Sequence, residues 1–180
     1  MYERFLPTFK VVEINNSTAH RIGHAISQVP CYATDVKVTE KNGFNFIENG
    51  IIVGLDAEYK LKNYDATKHS QPCLVYNDEL ITGPIDTLDK YAEEIESGKP
   101  AYVRALPLYL GDTFTTNNFS GTAADGYAEV VNGQLKLQAD VTETTLFIAR
   151  KSTLPNREVA VEFTYVGKVK AASDSGSESA

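Results

Sequence analysis

The chain has no Trp, one Met, two Cys and three His among its 180 residues. Each shortage excludes something. Without Trp and with Met only at position 1, the bulky side chains are ten Tyr and eight Phe, a balance that favours strands over a helical bundle. Two widely spaced cysteines, Cys31 and Cys73, read as two partly buried thiols rather than a disulfide, because the first fifteen residues contain no signal-peptide apolar region. Cytosolic synthesis is expected on the same ground. No stretch reaches the roughly 18 to 20 apolar residues of a membrane span, so no membrane partner is expected. The seventeen Lys and Arg form no run, and the net charge is −7. A phosphate backbone would find no basic track, which argues against a nucleic-acid partner.

Catalytic and metal sets are equally sparse. His20 and His24 stand four apart, but no Glu follows His20 and no third ligand lies nearby, so they read as surface histidines. His69 stands alone in a polar stretch and no Gly-x-Ser-x-Gly turn occurs, which leaves a hydrolase without its partners. Glu93, Glu94 and Glu96 read as the solvated face of a helix rather than an opposed carboxylate dyad. The stretch GDTFTTNNFSGT from Gly111 is neither a dinucleotide fingerprint nor a P-loop. Its Asp112, Asn117 and Asn118 lack calcium-loop spacing. No catalytic, cofactor or metal residue is assigned, and no cofactor is expected.

What is present is a globular chain, 42% hydrophobic, long enough for a core. The predicted fold class is α+β, predominantly antiparallel β, with an N-terminal meander plus one amphipathic helix and a C-terminal β-sandwich or barrel-like unit. Four segments are expected: an N-terminal arm over 1–16, an α+β part over 17–98, a β part over 99–168, and a flexible acidic tail over 169–180. Residues 17–28 read as a weak helix or irregular segment, capped at Asn16 or Ser17 and weakened by Gly23.

Asn42-Gly43 and Asn49-Gly50 accept the positive φ of type I′ turns and predict a three-stranded meander near 35–55. Two-residue loops would set Thr39 opposite Phe46, Glu40 opposite Asn45 and Ile47 opposite Ile52, with Val38, Ile47 and Ile52 on one core face. Residues 56–71 read as mostly loop, followed by a short apolar run over 73–76. The helix is predicted over 86–97, with Asp86 or Thr87 as cap and Leu88, Tyr91, Ala92 and Ile95 as its stripe. Gly98 would be its C′ residue, and Pro100 would block continuation.

Beyond position 100 the pattern is all β. Residues 101–110 form a strand that Pro107 bends or confines to an edge. Asn132-Gly133 closes a hairpin pairing Val130 with Leu135, Glu129 with Lys136 and Ala128 with Leu137. Strands over 145–151 and 158–166 complete the unit. The tail AASDSGSESA has too few apolar groups to offset the entropy of ordering it.

The aromatic arm is the candidate contact surface. Tyr2, Arg4, Phe5 and Phe9 combine large contact area with directed hydrogen bonds, the chemistry enriched at interfaces. The same residues also suit an ordinary first strand on its own core, and removal of residues 1–8 separates the two.

The series LPLYLGDTFTTNNF, AEVVNGQLKLQAD and TLFIARKSTLPNREVAVEFTYV, with echoes in NGIIVGLDAEYKL, resembles the capsid decoration (cement) proteins of tailed bacteriophages over roughly residues 101–166. The resemblance implies a structural virion protein, made in the host cytoplasm and not an enzyme. It would sit on the capsid exterior, bind the major capsid protein and stabilise contacts between neighbouring subunits. Association with its own copies is a further option. The rival reading is a carbohydrate- or receptor-binding β-module of a fibre or adhesin, with Tyr109 or Tyr127 stacking on sugars.

Overall fold

The computed structural model describes residues 10, 12–14, 26–41, 43–76, 92–155 and 157–168. In chain order the strands begin with β1 Val12–Ile14, β2 Ile26–Cys31, β3 Thr39–Lys41, β4 Phe44–Glu48, β5 Ile52–Leu55, β6 Leu61–Asn63, β7 Cys73–Val75 and β8 Ala92–Glu94. They continue with β9 Ala101–Pro107, β10 Thr113–Thr116, β11 Phe119–Ser120, β12 Gly126–Val131, β13 Gln134–Gln138, β14 Phe147–Thr153 and β15 Val159–Tyr165. Three assemblies result: a seven-stranded sheet in the order β1-β10-β15-β14-β12-β13-β11, a closed barrel β2-β6-β5-β7-β9, and a three-stranded sheet β3-β4-β8.

The described residues contain no helix, so the α+β expectation is corrected to all β. The amphipathic helix predicted over 86–97 fails at its C-terminal half, because Ala92–Glu94 pairs antiparallel with β4, Phe46 opposite Glu94 and Glu48 opposite Ala92. The Ile95 amide extends that ladder to the Asn45 carbonyl at 2.9 Å, and Ile95 is buried with the barrel residues. A short helix gains little from propensity alone, so a sheet edge with a core socket for Ile95 outweighs it. Gly98, at φ +77°, is a turn residue closed by the Lys99 amide on the Glu96 carbonyl. Residues 86–91 lie outside the described residues, as do 17–25 of the weaker helix. Its remaining positions, Ile26–Gln28, belong to β2, where the register shifts at a bulge and Gln28 takes φ +60°.

The first hairpin forms in the expected register, Thr39 opposite Phe46 and Glu40 opposite Asn45. The meander stops there. Ile47 pairs with Glu93 and Ile52 with Leu74, so the expected Ile47–Ile52 pair is replaced by a crossing between sheets. Gly50, at φ +87°, makes that corner: a Cβ there would lie 2.8 Å from Thr116 Oγ1 and 2.9 Å from Asn118 Cβ. Only glycine accepts both the conformation and the close approach. Val38 and Ile47 consequently pack in the barrel-side core, whereas Ile52 enters the other one.

The expected C-terminal sandwich or barrel is instead one sheet, and the barrel belongs mainly to the preceding residues. β9 pairs with β2 and β7, so Ala101–Pro107 closes the barrel, while β1 pairs with β10 and joins the seven-stranded sheet. The hairpin at Asn132-Gly133 has Val130 opposite Leu135, Glu129 opposite Lys136 and Ala128 opposite Leu137.

Two cores meet back to back. β7 alternates between them: Cys73 and Val75 face the barrel, while Leu74 faces the sheet. Val53 and Ile52 of β5 divide in the same way, as do Ala105 and Leu106 of β9. Strands buried on both faces carry continuous apolar residues rather than alternation, which accounts for the run at 73–76. Over the sheet, Phe114, Phe147 and Phe163 form a buried aromatic triad with centroids 5.8–6.3 Å apart. Each such pair contributes about 0.5–1.5 kcal/mol beyond area burial. Ile52, Leu74, Leu106 and Leu108 pack into the same cluster, so barrel and sheet share an interior.

Candidate functional site

A cleft of about 880 Å³ opens where the barrel loops meet the β12–β13 hairpin. Its barrel side comes from the β5–β6 turn, β6 and the loop over 64–69; its sheet side comes from Val130–Asn132 and the loop around Thr144. The hairpin tip is pinned to the barrel by the Ile52 amide, which donates to the Gly133 carbonyl at 2.8 Å. Gly133 also lets Asn63 approach, since a Cβ at 133 would fall 2.2 Å from Asn63 Oδ1. That oxygen accepts the Lys37 amide at 2.8 Å.

Three carboxylates of the cleft are held by specific donors, Asp56 and Asp65 within their own turns and Glu129 from Thr144 and Lys136. Asp56 Oδ1 accepts the amides of Glu58 and Lys60, each at 2.9 Å, and Oδ2 lies 3.2 Å from Lys62 Nζ. The Lys60 amide, followed by the Lys62 ammonium, lowers the Asp56 pKa. Asp65 Oδ1 accepts the Thr67 hydroxyl at 2.7 Å and its amide at 2.9 Å, with Lys68 Nζ 3.1 Å from Oδ2. The Thr67 hydroxyl leads the causes that hold Asp65 far below the usual carboxylate range. Glu129 accepts the Thr144 hydroxyl at 2.6 Å and meets Lys136 at 3.3 Å. The Thr144 bond is the main cause of its lowered pKa. Carboxylates held ionised in this way are poor proton donors at neutral pH. Their geometry suits charge display and loop bracing.

His69 lies within this cleft, not in an isolated polar loop. It is 8% exposed, and its Nδ1 accepts the Asp65 amide at 3.0 Å. The ring covers β5, where a Cβ at Gly54 would come 2.2 Å from His69 Cγ. The Tyr64 ring stands 5.9 Å away, and burial pushes the Tyr64 phenol up, so that it stays protonated.

The remaining sequence candidates are placed as follows. Tyr2, Arg4, Phe5 and Phe9, together with His20 and His24, lie outside the described residues. Asp112 is buried and accepts the Tyr109 amide at 2.8 Å. Asn117 donates to Glu158 and Asn118 to the Asn49 carbonyl, so all three brace loops. Among the described residues no three His, Cys, Asp or Glu gather to hold a metal ion. Cys31 and Cys73 are buried and form no disulfide; burial raises the Cys73 thiol to about 11, which leaves it unreactive. Tyr109 is 47% exposed and Tyr127 half-buried.

The cleft residues were not legible as a set from sequence. Asp56 and Asp65 each precede a turn, a visible local signal, but Glu129 and Thr144 reach them only through the docking of the hairpin. Comparisons with family models, curated proteins and solved structures give no match.

Proposed function

We propose that this chain is a structural virion protein that binds the outer surface of a phage capsid and stabilises contacts between major capsid subunits. The observation that carries the reading is the shared interior of barrel and sheet, with Leu74, Leu106 and Leu108 packed among the phenylalanine triad. A barrel whose strands also pack their outer face into the core of the sheet makes a stiff body. Such a body transmits load between neighbours rather than hinging at its middle. The tied carboxylates of the cleft support a role in contact rather than in bond-making. Repetition on a lattice would convert modest affinity per copy into firm attachment.

The resemblance over 101–166 supplies the identity of the partner, and the acidic net charge suits a soluble, monodisperse surface component. Purified full-length chain mixed with undecorated capsids should cosediment at a fixed number of copies per particle. Zero bound copies would end the proposal. Removing residues 1–8 is expected to reduce binding while leaving the fold intact. The carbohydrate reading has one observation in its favour, the polar cleft itself; glycan-array binding without capsid binding would make it the better account.

A further inference from the structure

A second recess, of about 470 Å³, shares Asn63, Val131 and Asn132 with the cleft and is bounded by Lys37 and by the sheet edge where β11 pairs with β13. Ser120 stands opposite Lys136 there, and Gln134 precedes Lys136 by two residues on the same face. The two openings differ in sign. Asp35, Asp56, Asp65, Glu129 and Glu143 line the cleft, whereas no carboxylate lines the recess, in a chain of net charge −7. Its polar walls are Lys37, Lys136, Ser120 and the side-chain amides of Asn63, Asn132 and Gln134.

Most of these donors are uncommitted. Lys37 Nζ forms no ion pair or hydrogen bond with the described residues, yet it is half-buried. Burial is the main cause that lowers its pKa, opposed by Glu48 and reinforced by Lys10. Glu48 itself is taken by Lys41 at 2.7 Å and by the Thr39 hydroxyl at 2.8 Å. A partly desolvated ammonium without a counter-ion is stabilised by an anion that reaches it. Asn63 spends its side-chain oxygen on the Lys37 amide at 2.8 Å, which leaves Nδ2 as a donor without a partner among the described residues. The side-chain amides of Asn132 and Gln134 are equally free. They can turn either end to a ligand, so the two ammonium groups fix its sign. Lys136 already meets Glu129 at 3.3 Å, and the Ser120 hydroxyl donates to the Leu135 carbonyl at 3.4 Å. Lys37 is therefore the principal charge on offer.

We propose that this recess is a binding site for a small oxyanion, a phosphate or a carboxylate group, held by Lys37 and Lys136 with the amides of Asn63, Asn132 and Gln134. The frame is set before any ligand arrives. Lys37 lies between Val36 and Val38, both packed in the barrel core, and the hairpin tip is fixed by the Ile52 amide on the Gly133 carbonyl. A site braced in this way gives up little freedom on binding. No arginine fork lines the recess to select a ligand by shape. Charge then ranks the ligands, with phosphate ahead of acetate.

The test is a titration of the full-length chain with inorganic phosphate and, separately, with acetate, followed by amide and lysine side-chain NMR shifts while sodium chloride holds the ionic strength constant. Phosphate should saturate with a Kd on the order of 1 mM, and the shifts should gather at Lys37, Asn63, Asn132, Gln134 and Lys136. K37M, which keeps the aliphatic stem and loses the charge, should weaken binding roughly tenfold, the equivalent of one charge-assisted hydrogen bond. K99M removes an equal charge from an exposed turn, where Lys99 meets Glu96, and should leave the affinity unchanged. Should K37M not fold, the shift map of the unmodified protein decides. Saturation by phosphate alone supports the site with a phosphate group as its ligand; saturation by acetate at equal or lower concentration supports it with a carboxylate. No saturation by either anion, undiminished affinity in folded K37M, equal loss in K99M, or shifts scattered outside the recess would each overturn the proposal. Capsid binding is not read out, so a negative result leaves the decoration reading untouched.

Discussion

Two glycines in equivalent turns allow the cost of hairpin docking to be isolated. Gly43 and Gly133 each follow an Asn and sit at φ +81° and +77°. A Cβ on Gly43 meets nothing within 4 Å, whereas a Cβ on Gly133 meets Asn63 Oδ1 at 2.2 Å and Ile51 Cγ2 at 3.2 Å. Alanine at either position takes the left-handed penalty, about 1–2 kcal/mol, and the same small gain from a stiffer unfolded chain. Those terms cancel in the comparison. At 133 the overlap adds about 1–3 kcal/mol. Displacing Asn63 also loses its bond to the Lys37 amide, about 1 kcal/mol. G133A should therefore be less stable than G43A by about 2–4 kcal/mol. Urea unfolding of both variants at neutral pH measures the difference, provided the slopes agree. A gap below about 0.5 kcal/mol, within ordinary surface-substitution scatter, would refute the claim that the hairpin tip is packed against the barrel.

Three further outcomes are expected. Asp65 has a lowered pKa in the folded state, so its stabilisation is present above the unfolded carboxylate range and is lost as pH falls through the folded value. The thermal midpoint of D65N should lie below that of the unmodified protein at neutral pH, and the two should converge in strong acid; parallel curves would contradict the assignment. Glu48, 3% exposed, accepts the Lys10 amide, the Thr39 hydroxyl and Lys41 Nζ at 3.1, 2.8 and 2.7 Å. E48A should cost about 2–4 kcal/mol by denaturant unfolding, with E48Q milder because neutral acceptance survives. The Glu129–Lys136 pair is half-open to solvent, with side-chain exposures of 14% and 55%, so a double-mutant cycle should return a coupling of about 0.2–1 kcal/mol.

Local chemistry was readable wherever a turn and its flanking residues settle the outcome between themselves. The hairpins closed by Gly43 and by Asn132-Gly133 formed in the expected registers, because two-residue turns with positive φ leave the flanking strands one register. The stretch over 86–97 read as a helix because its apolar spacing was consistent with one. Residues 92–95 became a strand and a core plug when β4 offered an edge and the barrel a socket for Ile95. Neither neighbour is close in sequence, so no window around the segment contains the competing interaction.

Composition and residue order by themselves determined a β-dominated chain and the hairpin turns at Gly43 and Asn132-Gly133, since those depend on side-chain shape and backbone conformational preference within a few residues. Tertiary structure decided that Asn49-Gly50 is a corner between sheets, that β9 closes the barrel and that the hairpin tip roofs a cleft over His69. These outcomes depend on strands tens of residues apart competing for the same edges and cores. That competition is resolved by the summed burial of two interiors, which becomes defined only when the whole chain has packed.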